Sequence, residues 1–169
     1  MFAKSLLPAL ITVLATSGIA AAQSPARLEQ FNAWGAYYYQ GQAGKVCYVL
    51  TVPEKGSATP AKVDHGDVFF LVTQRPGQNI SYEPQAMLGY ELKAGSKVTI
   101  TVDGRNFVMF TKGKSAWVEN AAEEPALVAA LKSGHSMSMG AVSKKGTQTG
   151  YTFSLSGISK ALKRIETCR

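Results

Sequence analysis

His135, Met137 and Met139 stand at alternate positions in the run His135-Ser136-Met137-Ser138-Met139. On a β-strand such residues share one face. One imidazole and two thioethers are soft donors of the kind that select Cu(I), so this face is a candidate soft-metal site. The same alternation suits a strand whose methionines fill irregular gaps in a core, with His135 at its open end. The only other histidine, His65, lies between Asp64 and Gly66 and reads as a solvated loop residue.

Two cysteines, Cys47 and Cys168, complete the reactive set. In an exported chain an even count implies a disulfide, and two cysteines allow one internal pairing. The loop would enclose about 120 residues, for which the chain-entropy model gives roughly 4–5 kcal/mol. Redox enzymes keep their two cysteines close in sequence, so a catalytic pair does not fit.

Catalytic motifs are missing. Gly150-Tyr151-Thr152-Phe153-Ser154 lacks the spacing of a nucleophile elbow. Asp64, Asp67, Glu83 and Glu91 make no paired carboxylate motif and read as loop and turn charges. There is no phosphate loop, dinucleotide fingerprint or calcium loop. The expectation is a non-enzymatic protein without a cofactor. A hydrolase assembled from dispersed residues remains the enzyme alternative, because distant triads leave no local mark.

The elements that position these residues begin with export. Lys4, an apolar stretch from Leu6 to Ile19 and the small residues Ala20-Ala21-Ala22 form the three-part pattern of a cleaved signal peptide over residues 1–22. The stretch is short for a membrane span, and no later run is apolar enough to be one. Residues 23–169 then make a single domain, periplasmic or released to the cell surface. The 169-residue chain carries 18 basic and 11 acidic side chains, a formal charge of +7. Of these only Lys4 lies in the leader. A scattered positive balance favours weak attraction to anionic lipid or acidic glycan. It does not describe a nucleic-acid protein.

The fold signals are mainly β. Residues 23–32 read as a polar lead-in. Strands are expected near 34–39, 45–52, 67–73, 115–118, 136–142 and 150–155. Val98-Thr99-Ile100-Thr101-Val102 alternates strictly and is followed by Asp103-Gly104 and by Phe107 to Phe110. That spacing predicts a hairpin with a type I′ turn, with Ile100 opposite Phe107 and Val98 opposite Met109. A helix is expected from Pro125 to Gly134, with Leu127, Ala130 and Leu131 on its inner stripe. A second is expected from Gly157 to Thr167 with Ser156 as N-cap, burying Ile158, Ala161, Leu162 and Ile165. Seven to nine short strands without a strand-helix rhythm predict an antiparallel β-sandwich or curled sheet with two short helices, one of them C-terminal.

Two surface sets could bind a partner. Alternation sends Tyr37 and Tyr39 to one face and Tyr38 to the other, and tyrosine is a frequent interface anchor. Lys160, Lys163 and Arg164 form the densest basic cluster.

Several of these residues also carry a resemblance. An early Trp34, Cys47-Tyr48 opening a strand and Gly113-Lys114-Ser115-Ala116-Trp117 come first. A helix ending Leu131-Lys132-Ser133-Gly134 before Met137 follows. The closing run holds Gly146-Thr147, Tyr151, Ser154-Leu155-Ser156-Gly157, Ala161-Leu162, Ile165 and Cys168. Together they resemble the invasion-associated locus B family of alphaproteobacteria across essentially the whole mature domain. The resemblance implies an exported β-sandwich protein without a nameable enzymatic activity, linked in some pathogens to host-cell entry. Many longer members carry another cysteine shortly after the first tryptophan. Tyr37-Tyr38-Tyr39 occupies that region here, so the chain resembles a short subgroup that uses the distant C-terminal cysteine.

Overall fold

A computed structural model describes residues 24–168; the expected leader, residues 1–22, lies outside the described residues. Among the described residues ten antiparallel strands form one unclosed sheet. They are β1 (Ala26–Phe31), β2 (Trp34–Gly41), β3 (Gly44–Thr51), β4 (Phe69–Arg75), β5 (Ile80–Met87), β6 (Lys97–Val102), β7 (Arg105–Lys112), β8 (Ser115–Val118), β9 (Ser136–Val142) and β10 (Gln148–Ser154). Two α-helices among the described residues, α1 (Glu124–Ser133) and α2 (Ile158–Ile165), accompany it. The spatial order is β1-β2-β3-β4-β5-β8-β7-β6-β9-β10. Of the two architectures the sequence allows, this is the curled sheet.

The curl is visible in the core. Trp34 on β2, Phe70 on β4 and Phe153 on β10 are fully buried. Phe70 lies 6.5 Å from each of the other two ring centres. Strands distant in the sheet therefore meet on its concave side. That side also buries Val98, Ile100, Met109, Met137 and Met139. The two ends of the sheet are tied by hydrogen bonds from Ala33 N to Ser156 O (3.2 Å) and from the Trp34 indole to Ser154 O (3.0 Å). The β3–β4 connection covers the β10 edge: Glu54 N donates to Thr152 O, and Thr59 exchanges two backbone hydrogen bonds with Gly150. Covering an edge in this way satisfies backbone groups that would otherwise template aggregation.

The Asp103-Gly104 hairpin is as read from its residues. Both central positions have positive φ, 45° and 85°, and Ile100 faces Phe107 and Val98 faces Met109. Helix α2 buries the expected face, Ile158, Ala161, Leu162 and Ile165. Its N-cap is Gly157 at φ 98°, not Ser156. The Ser156 hydroxyl instead accepts from the Asn32 side chain at 2.9 Å, so tertiary contact displaces the helix cap. Helix α1 fully buries Leu127 and Leu131 and packs beside β5.

Two strands depart from the expectation. The lead-in 23–32 contains β1, an edge strand paired with β2 through a register shift near Leu28. Its mostly exposed residues give no alternation to read. Strand β5 contains Pro84, ordinarily a strand breaker. Pro84 pairs with Val72 of β4, while β8 contacts β5 only from Gln85 onward. It therefore sits where β5 is still an edge on one side.

The disulfide joins Cys47 of β3 to Cys168 just after α2, with both residues buried. Beside it the buried Gln74 amide donates to the Ile165 carbonyl at 3.1 Å, satisfying an acceptor at the α2 C-terminus.

Candidate functional site

A cleft of about 480 Å³ opens at one end of the curled sheet. One wall is the β3–β4 connection, with Val63, Asp64 and His65. The other is the β9–β10 turn, with Ser143, Lys144, Lys145 and Thr147; Tyr90, Glu91 and Thr149 complete the lining. Backbone pairing sets the second wall. Lys144 N donates to Glu91 O at 2.8 Å, and Leu92 bridges Ser143.

The first wall depends on a close backbone approach. A Cβ on Gly89 would lie 2.5 Å from Gly66 Cα and 2.5 Å from the His65 carbonyl. Only glycine permits that contact. It seats the His65 loop directly against the Gly89-Tyr90 segment.

A hydrogen-bond relay runs along the floor. His65 Nε2 lies 3.0 Å from the Pro60 carbonyl, which can only accept, so Nε2 carries the ring proton. Nδ1 is then the acceptor, and the Tyr151 hydroxyl donates to it across 2.7 Å. Tyr151 accepts from the Tyr90 hydroxyl at 3.0 Å, and Tyr90 accepts from Thr149 at 2.6 Å. Thr149 also lies 3.3 Å from the Ala141 carbonyl. If its proton went there, Tyr90 would have to donate to Thr149 and the contact between the two phenols would lack a hydrogen. The direction Thr149 to Tyr90 to Tyr151 to His65 to Pro60 supplies every contact except the long one to Ala141.

Burial pushes the Tyr151 phenol well above its ordinary value. Tyr151 is therefore a firm neutral donor and a poor base. His65 has both ring nitrogens engaged, and among the described residues neither is hydrogen-bonded to a serine hydroxyl or a carboxylate. The expectation of a solvated loop histidine is corrected: His65 is a half-buried member of this relay. Its partner Tyr151 is 86 residues away, so no local pattern marks it.

The other candidate residues lie elsewhere. Met137 and Met139 are buried in the core on the concave face. The His135 side chain is 95% exposed and lies 3.5 Å from an Asp103 carboxylate oxygen. The strand start thus turns the imidazole to solvent while both thioethers point inward, and the three do not assemble as a ligand set. Among the described residues no three His, Cys, Asp or Glu side chains cluster as metal ligands.

Tyr37 and Tyr39 lie on the convex face of β2, where Tyr48 of β3 stacks on Tyr37 at 5.3 Å and meets Tyr39 edge-on at 6.3 Å. The Tyr37 ring covers Gly35. The same face carries a ladder row from Leu50 through Leu71, Gln85 and Trp117 to Phe110. Phe110, 40% exposed, stacks on Trp117 at 5.8 Å. Lys160, Lys163 and Arg164 border a shallow groove on α2, and Arg164 lies 3.5 Å from Glu29. Because α2 packs on the concave side, this basic set and the tyrosines occupy opposite faces of β2.

These features define a class: a mainly β domain in which one antiparallel sheet curls over two helices and a disulfide ties β3 to the segment after α2. The chain belongs to the Invasion associated locus B (IalB) protein family, whose family model matches residues 39–166. No curated protein and no solved structure matches the chain. The disulfide is consistent with an extracytoplasmic setting. No helix among the described residues is long and apolar enough to cross a membrane.

Proposed function

We propose that this protein is exported to the periplasm or cell surface and acts there by binding an envelope or host component, without catalysis, in support of host-cell invasion or envelope integrity. Family membership supports the invasion-associated envelope role. The observation that carries the binding reading is the state of His65, the one imidazole at the cleft. Its two nitrogens are consumed by the Pro60 carbonyl and the Tyr151 hydroxyl, so neither is available to activate a nucleophile. The cleft offers shape, lone pairs and charge instead.

A deletion strain tests the role. It should show an envelope-stress or host-entry defect that the intact gene restores, and the purified protein should not turn over generic ester or glycan substrates. Intact envelope and infection phenotypes would remove the role. Turnover abolished by His65→Ala would replace binding with catalysis.

A further inference from the structure

The cleft floor and its rim ask for different things from a ligand. On the floor, the relay sends each proton to the next member and finally to the Pro60 carbonyl. Tyr90 and Thr149 are left with oxygen lone pairs at the cleft lining, which call for hydroxyl donors. On the rim, Lys144 and Lys145 are exposed and belong to no ion pair among the described residues. They call for an anion. Asp64 stands on the opposite wall, where one of its carboxylate oxygens accepts from Gly66 N at 2.9 Å. The cleft lining holds two lysines, Lys144 and Lys145, and two carboxylates, Asp64 and Glu91; the adjoining groove, which shares Glu91 and Lys144, adds Lys112. Tyr90 adds an amphipathic ring wall, and the volume falls within the usual range for a small-molecule site.

We infer that the cleft binds an acidic sugar, a pyranose-sized ring whose hydroxyls donate to Tyr90 and Thr149 while its carboxylate meets Lys144 and Lys145. This rests on the binding reading above and names the ligand class. The ligand is either a free sugar acid or the end of an acidic glycan chain.

The test is an NMR titration of the intact disulfide-bonded protein with D-glucuronate, with D-glucose and acetate as controls. Glucuronate should perturb amides of residues 63–65, 90–91 and 143–149. Glucose and acetate, each holding half of the recognition chemistry, should bind about tenfold or more weakly, the usual effect of losing one charge-assisted contact or the hydroxyl set. Lys144→Ala/Lys145→Ala, on an exposed turn, should weaken glucuronate binding about tenfold with the thermal midpoint unchanged. Thr149→Val should weaken glucuronate and glucose alike and leave acetate unaffected. A glucuronate-capped trisaccharide separates the sources: equal affinity assigns a free sugar acid, and tighter binding of the trisaccharide assigns a glycan end. The inference is overturned if glucuronate leaves these amides unmoved at tens of millimolar, a concentration ample for a weak sugar site. It is equally overturned if glucose binds as well as glucuronate, or if the strongest shifts fall on Lys160, Lys163 and Arg164. Such failures concern the cleft alone and leave the deletion phenotype, which tests the broader role, to stand or fall separately.

Discussion

The Tyr151 hydroxyl donates to His65 Nδ1 across 2.7 Å, joining the last strand of the sheet to the β3–β4 connection. Tyr151→Phe keeps the ring and removes the donor, leaving Nδ1 unpaired. The expected loss is about 1–2 kcal/mol, read from urea unfolding at neutral pH. The folded state favours the protonated phenol, whose value is raised above the ordinary 10.0. Its contribution is therefore complete below about pH 10 and drains away as pH rises through the raised folded value. Stability of the parent protein should fall above that point, and Tyr151→Phe should flatten the fall. An unchanged alkaline slope in the variant would show that the phenol is not held in this way.

Glycine contacts give a sharper mechanical test. Gly89→Ala would drive a methyl into backbone atoms of His65, Gly66 and Asp67. The expected cost is about 2–4 kcal/mol, with the cleft loop displaced. Gly140→Ala on β9 meets nothing within 4 Å and should be neutral or stabilising by about 0.5 kcal/mol. Comparable effects of the two substitutions in chemical denaturation would refute the close approach.

The placement of the His-Met run predicts an asymmetry. Met139→Ala should cost about 2–5 kcal/mol, because a fully packed thioether leaves a cavity. His135→Ala should stay within about 0.5 kcal/mol, as an exposed side chain does. Equal costs in thermal unfolding would contradict this division between core and solvent.

Removing the disulfide should be among the costliest changes of the set. Cys47→Ser/Cys168→Ser frees a crosslink spanning 121 residues in sequence. The expected loss is roughly 4–5 kcal/mol, a fall in thermal midpoint of about 10 °C or more. A midpoint within a few degrees of the parent would mean that the reduced chain retains the same constraint by packing alone.

Much of this frame was legible from residue patterns. Strict alternation and Asp103-Gly104 specify the β6–β7 hairpin with its register, because turn geometry and the buried face agree. The buried stripe of α2 follows from its spacing. Strand β1 escapes because an edge strand of mostly exposed residues has no apolar period, and β5 escapes because Pro84 is harmless only where a neighbouring strand is absent. The cleft was the least legible part. His65, Tyr90, Thr149 and Tyr151 come from three separate stretches, and the two glycines that bring the first pair together are silent until the loops are placed. Alternation did separate Tyr37 and Tyr39 from Tyr38, but it could not show that α2 covers the opposite side of β2.

The proposed role presupposes export, with which the disulfide is consistent, and one measurement tests export directly. Protein taken from native cells without reductant, alkylated and weighed intact, should have the mass of a chain beginning at Gln23, two hydrogens lighter than its reduced form and free of alkyl groups. A mass that retains residues 1–22, or one carrying an alkyl group on both Cys47 and Cys168, would contradict the account.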